Sequence, residues 1–182
     1  MKTRFFSNET KKYILLFPLC ILIGAVVINM LGTDKVDEWG IFNQDFVGSA
    51  ANAKTEFIDV LKYILKKRLG HLLIIFLICF STIRDKLMLG VTGWFGFTFG
   101  IILGALYMQY GLKAIWIFVV AILIHTLIYI FGIGGLWHLS SKPEKKLLSG
   151  GYILCFAMLL VGILVESLIN WGIFPKIMGF YQ

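Results

Sequence analysis

The sequence predicts an all-α polytopic membrane bundle of about five transmembrane helices with one interfacial amphipathic helix, and three observations carry that prediction. Hydrophobic residues make up 59% of the 182 residues and charged residues only 15%, a balance outside that of water-soluble cores. The charges fall in short clusters between apolar runs instead of along helical faces. The run 87–112 contains no charged residue at all, and it exceeds the roughly 20 residues needed to cross about 30 Å of hydrocarbon.

Taken in order, the spans are expected at about 13–33, 66–83, 87–110, 114–137 and 150–170 of a single membrane domain, 1–182. The first follows Lys2, Arg4, Lys11 and Lys12, as a signal peptide would. It is too long for one, and it ends without a small-x-small cleavage site, so it is read as a retained helix. The second is the shortest: 69–83 is apolar, and it reaches membrane thickness by borrowing Ile64 and Leu65 or by snorkelling of Lys66, Lys67, Arg68 and Arg84. The third, fourth and fifth qualify on length alone.

Between the first two spans lies an outer loop, 34–65. It opens acidic and aromatic ("DKVDEWGIFNQDF") and then gathers Phe57, Ile58, Val60, Leu61, Ile64 and Leu65 on one helical face against Glu56, Asp59, Lys62, Lys66 and Lys67. Such a helix is expected to lie in the membrane interface or to form an elbow. With the N-terminus cytoplasmic, the inner segments hold nine of the 17 Lys and Arg residues and the outer ones eight, six of them between 34 and 68, in this loop and the basic end of its helix. Setting the loop aside leaves nine against two, so the positive charges favour a cytoplasmic N-terminus and an outer C-terminus.

Signatures of soluble catalysis are absent: no phosphate-cradling GxxxxGK[ST], no HExxH, no GxSxG and no CxxC. Catalytic residues, cofactors, metals and nucleic acid are therefore not expected. Cys20, Cys79 and Cys155 each fall in a different apolar run, where a thiol behaves as a small hydrophobe.

Ionisable groups inside spans carry more information, because each costs about 2.5–3.5 kcal/mol when charged at a helix centre. His125 sits near the middle of the fourth span with Tyr129 one turn along the same face. It either links helices as a neutral imidazole or relays a proton. Glu166, with Asn170 one turn later, is expected near the outer end of the fifth span. In an antiparallel pair it would be offset from His125 by roughly 12 Å along the axis. Its expected partners are Lys113, Arg68 and His71, with Gln109 and Tyr110 completing a polar cluster, and its role is either a structural ion pair or a transport site.

Glycines at 93, 96, 100 and 104 form a side-chain-free stripe read as a packing face for another helix of this chain or of a partner. Gly132, Gly134 and Gly135 mark a possible break in the fourth span.

The order of these features resembles the stage II sporulation protein M family. "WFGFTFGIILGALYMQYGLKAIWIFVVAILIHTLIYI", from Trp94 to Ile130, is similar to that family's aromatic and glycine-rich span, which leads through a "yGLKg" turn into a span with a polar residue near its middle. "FPLCILIGAVVINML" resembles its opening span, and "GILVESLIN" resembles its close, where a Glu precedes a small polar residue and a proline, here Pro175. The matches touch about half of the chain. This sequence departs in having Ala114 where the turn commonly carries glycine, and Ile124 where proline commonly precedes the polar residue.

The resemblance implies a membrane protein of the bacterial cell membrane without enzymatic activity of its own. Its family acts in forespore engulfment during sporulation and is taken to localise a peptidoglycan hydrolase complex. Short related members imply an alternative role in maturation, export or immunity of a circular bacteriocin, with an ABC-type exporter as partner. A transporter acting alone is a third reading; the chain has no similar halves from which to build an inverted repeat, so a homo-oligomer would have to supply the missing half.

Overall fold

The computed structural model describes residues 8–38, 56–141, 150–173 and 176. The N-terminal cations Lys2 and Arg4, the loop 39–55, the cluster of Lys142, Lys145 and Lys146, and Pro175 lie outside them. Every regular element among the described residues is helical: α1 (Asn8–Glu38), α2 (Phe57–Phe80), α3 (Arg84–Tyr110), α4 (Lys113–Phe118), α5 (Ile124–Ser140) and α6 (Gly150–Leu168). A π-helical turn, Val119–Leu123, joins α4 to α5, and a second, Ile169–Ile173, extends α6. Four stretches are long and apolar enough to cross a membrane: Lys11–Val36, Arg84–Tyr110, Lys113–Ser140 and Gly150–Ile173.

α2 is not among those four, and its course differs from the expected one. The amphipathic segment and the second span, anticipated as separate elements meeting near residue 66, are one unbroken helix from Phe57 to Phe80. No glycine or proline stands between Phe57 and Leu69, so nothing interrupts the backbone ladder there. Asp59 in the first turn suits the positive end of the helix dipole. Extended backbone at Ser81 ends the helix, and the Ser81 hydroxyl accepts from the Ile83 amide at 3.3 Å.

The chain divides into two compact units, Met1–Asn43 with Asp85–Ile115, and Gln44–Arg84 with Trp116–Gln182. The first is built on close contact between α1 and α3. A Cβ on Gly96 would lie 2.6 Å from the Phe17 carbonyl oxygen. One on Gly100 would strike the Ile21 carbonyl and the Ala25 amide, and one on Gly104 the Ile28 side chain. α1 reciprocates at Gly24, which faces the Phe97 carbonyl. Gly93 is looser, its nearest neighbour being Cys20 Sγ at 3.5 Å from the position of a Cβ. The small-residue stripe thus brings two backbones together, as such stripes do where dispersion and close approach are the available attractions. Gly32, at φ 80°, kinks α1, and beyond the kink Val36 packs into a core with Ile28 and Ala105. Gly111 ends α3 in the left-handed region at φ 57°, its amide donating to the Tyr107 carbonyl at 2.8 Å.

The second unit packs α2, α5 and α6 around Ile64, Ile75, Cys79, Tyr129, Leu136, Tyr152, Cys155, Leu159 and Ile163. The helix break expected at Gly132–Gly135 does not occur, since α5 runs through to Ser140. These glycines serve packing instead. A Cβ on Gly132 would lie 2.7 Å from Leu159 Cδ2, and one on Gly135 2.6 Å from Cys155 Sγ. The irregular turn falls earlier, at Val119–Leu123, and it packs against the second π-helical turn. Arg84, expected to snorkel, donates to the Ser140 carbonyl at 2.5 Å. It thereby satisfies one of the carbonyls left open at the end of α5. The cysteines are all free thiols.

Candidate functional site

Three helices of the second unit converge on Glu166. The residue sits on the buried face of α6 with Tyr152, Cys155, Leu159, Gly162 and Ile163, a spacing of three and four that places all six on one stripe. Arg68 Nε donates to Oε1 at 3.0 Å and to Oε2 at 2.7 Å, and Arg68 Nη2 makes a further short contact to Oε1. Tyr129 Oη donates to Oε2 at 2.8 Å. The Glu166 side chain is 7% exposed and the Arg68 side chain 33%. A buried carboxylate is tolerated only when its charge is matched and its lone pairs are filled. Here a planar guanidinium fork supplies the charge and a phenol the remaining donor.

The ring of Tyr129 is held on two sides. The Arg68 guanidinium carbon stands 5.6 Å from the ring centroid, and His125 meets it edge-on at 6.1 Å. Space for the ring is made by Gly162, one turn before Glu166, where an added Cβ would lie 2.8 Å from Tyr129 Cε1. Gly162 is therefore a positioning residue of the cluster: it lets the phenol reach along α6 to the carboxylate. Sequence reasoning missed it, although its spacing of four from Glu166 was visible.

Of the three partners expected for Glu166, Arg68 makes the bond within the second unit. His71, three residues along α2, is exposed. Lys113 belongs to the first unit, as do Gln109 and Tyr110, whereas the bonds to Glu166 described here are made within the second. Arg68 lies twelve residues from the end of α2 at Phe80, about 18 Å. Tyr129 lies eleven residues before Ser140, about 16 Å. Glu166 is followed by seven further helical residues to Ile173. The cluster is thus flanked by further helix on each element, because α2 begins nine residues before the expected span and α6 continues through its π-helical turn.

His125 and Glu166, expected to be too far apart along the axis to pair, are joined through Tyr129, which contacts both. His125 is 5% exposed and its Nδ1 has no hydrogen-bond partner among the described residues. Asn170 is exposed. It lines a groove of about 550 Å³ beside the Arg68–Glu166 pair, together with Asp59, Tyr63 and Lys67.

Chemically, the cluster ties α2, α5 and α6 at one point. Both carboxylate oxygens are engaged by donors of the same chain, which leaves Glu166 a poor ligand for an added cation. No group of three or more His, Cys, Asp or Glu residues among the described residues is placed to hold a metal ion. Comparison with protein families, with curated proteins and with solved structures gives no match for this chain.

Proposed function

We propose that this chain is a non-enzymatic integral membrane scaffold of the bacterial cell membrane, with its N-terminus cytoplasmic and its C-terminus outside. In keeping with its resemblance to the stage II sporulation protein M family, it organises a peptidoglycan-remodelling complex. The single observation that carries the scaffold reading over a transport reading is the saturation of Glu166 by Arg68 and Tyr129. An acidic residue that binds and releases a transported ion needs an accessible lone pair, and this one spends its lone pairs on holding three helices together.

Two experiments test the proposal. For orientation, a cysteine-free background carrying either Glu56→Cys or Ser141→Cys, both exposed positions, is treated with a membrane-impermeant thiol reagent in intact cells. Labelling is expected at 56 and not at 141, and the reverse pattern refutes the topology. For partners, a photo-cross-linking residue replaces Trp94 or Trp116, which are 69% and 70% exposed, in the source bacterium. Adducts with peptidoglycan-cleaving enzymes or their membrane anchors are expected. Adducts confined to an ABC-type exporter would move the assignment to peptide export.

A further inference from the structure

The groove beside the ion pair has a use that the scaffold role does not require. Arg68 and Glu166 neutralise each other, so the charges it has left are Lys67 and Asp59. Both lie on the first half of α2 and line the same groove. Lys67 leans back toward the helix N-terminus, its Nζ 3.5 Å from Tyr63 Oη and 5.6 Å from the ring centroid, as helical side chains are directed to do. That brings the ammonium toward the level of Tyr63, one turn and about 6 Å along the axis from Asp59. The Tyr63 oxygen accepts from Lys67, which leaves its own O–H free to donate. Asn170 adds an amide, and Val60 and Ile64 supply apolar wall.

We infer that this groove binds the headgroup of a phosphoethanolamine lipid. The lipid phosphate meets Lys67 and the Tyr63 hydroxyl, its ammonium meets Asp59, and its upper acyl carbons lie against Val60 and Ile64. One cation and one anion about a helical turn apart match a group that carries a phosphate and a primary ammonium a few bonds from each other. A purely anionic headgroup would meet Asp59 with like charge. A choline headgroup carries no N–H to donate to the carboxylate, and the charge-assisted hydrogen bond is the stronger contact. The inference rests on the membrane reading above and not on the identity of any protein partner.

The test uses the full chain in nanodiscs of equal parts phosphatidylethanolamine, phosphatidylcholine and phosphatidylglycerol with matched acyl chains, released into native mass spectrometry. Phosphatidylethanolamine adducts should exceed each of the others by roughly fivefold, the scale of one charge-assisted hydrogen bond discounted for exposure. Asp59→Asn should bring phosphatidylethanolamine down to the level of phosphatidylglycerol, and Lys67→Gln should reduce retention of all three. Tyr63→Phe should weaken retention without altering the preference. Asp59 and Lys67 are exposed, so the variants should fold, as circular dichroism and gel filtration check. Equal retention of the three lipids by the wild-type chain overturns the inference, and so does a preference unchanged by Asp59→Asn. Displacement of the lipid by soluble phosphoethanolamine at equal concentration would overturn the lipid as its source. Failure to enter nanodiscs would strike the membrane reading itself, a different outcome from loss of preference in protein that has entered.

Discussion

Replacing Glu166 by alanine leaves two donors without an acceptor at the junction of α2, α5 and α6. Removing one partner of a buried ion pair costs about 3–5 kcal/mol. Arg68 is one-third exposed, so water recovers part of its hydration and the low end, about 3 kcal/mol, is the better figure for the pair. The orphaned Tyr129 hydroxyl adds about 1–3 kcal/mol. Glu166→Gln keeps the shape and one carbonyl acceptor, so it should lose only about 1.5–3 kcal/mol, the worth of hydrogen bonds to a charged group. The decisive variant is the double one: Arg68→Met with Glu166→Gln removes both charges and leaves no ion unpaired. It should be less destabilised than the sum of its single changes by about 1.5–3 kcal/mol, roughly a ten- to hundredfold difference in the folding equilibrium. Unfolding by sodium dodecyl sulfate in mixed micelles, followed by circular dichroism, measures the cycle. Coupling below about 0.5 kcal/mol, the range of independent sites, would show that Glu166 holds nothing together. Normal folding of Glu166→Gln with loss of biological activity would refute the structural role and return the site to a functional charge.

Gly162→Val should destabilise the cluster without touching any charge, because a Cβ added there already overlaps the Tyr129 ring. In the same unfolding assay a loss of about 1–3 kcal/mol is expected, and pairing it with Tyr129→Ala should recover part of it. Gly100→Leu should separate α1 from α3, since even a Cβ there meets the Ile21 backbone. The measurable result is loss of folded protein or enhanced proteolysis in detergent, and wild-type behaviour would mean that this face does not pack as described. Arg84→Ala should expose the last turn of α5 by removing its donor to the Ser140 carbonyl. A cost of about 0.5–2 kcal/mol is expected, with faster hydrogen exchange confined to the residues before Ser140, and Arg84→Lys should restore part of it.

The helical class and most of the long helices follow from the sequence by itself. Length and uninterrupted apolarity are one-dimensional properties, and near 87–110 or 150–170 nothing but a helix satisfies the backbone of so long an apolar run. The glycine stripe of α3 was also legible, since its spacing of three and four specifies a face whatever that face meets. What α3 meets, α1 through Gly24, Phe17 and Ile21, was not, because a stripe does not name its partner. The course of α2 was misread for a related reason. A hydropathy window divides a chain where charges appear, whereas a helix ends only where its backbone is interrupted, and Lys62, Lys66, Lys67 and Arg68 do not interrupt it.

Glu166 was conspicuous in the sequence as a charge in an apolar run, and Arg68 stood among its candidates. Finding Arg68 and Tyr129 on the same carboxylate required three helices to be set at their mutual depth and rotation. Those are fixed by side-chain packing around residues such as Gly162 and Leu159, and no single stretch of sequence records them.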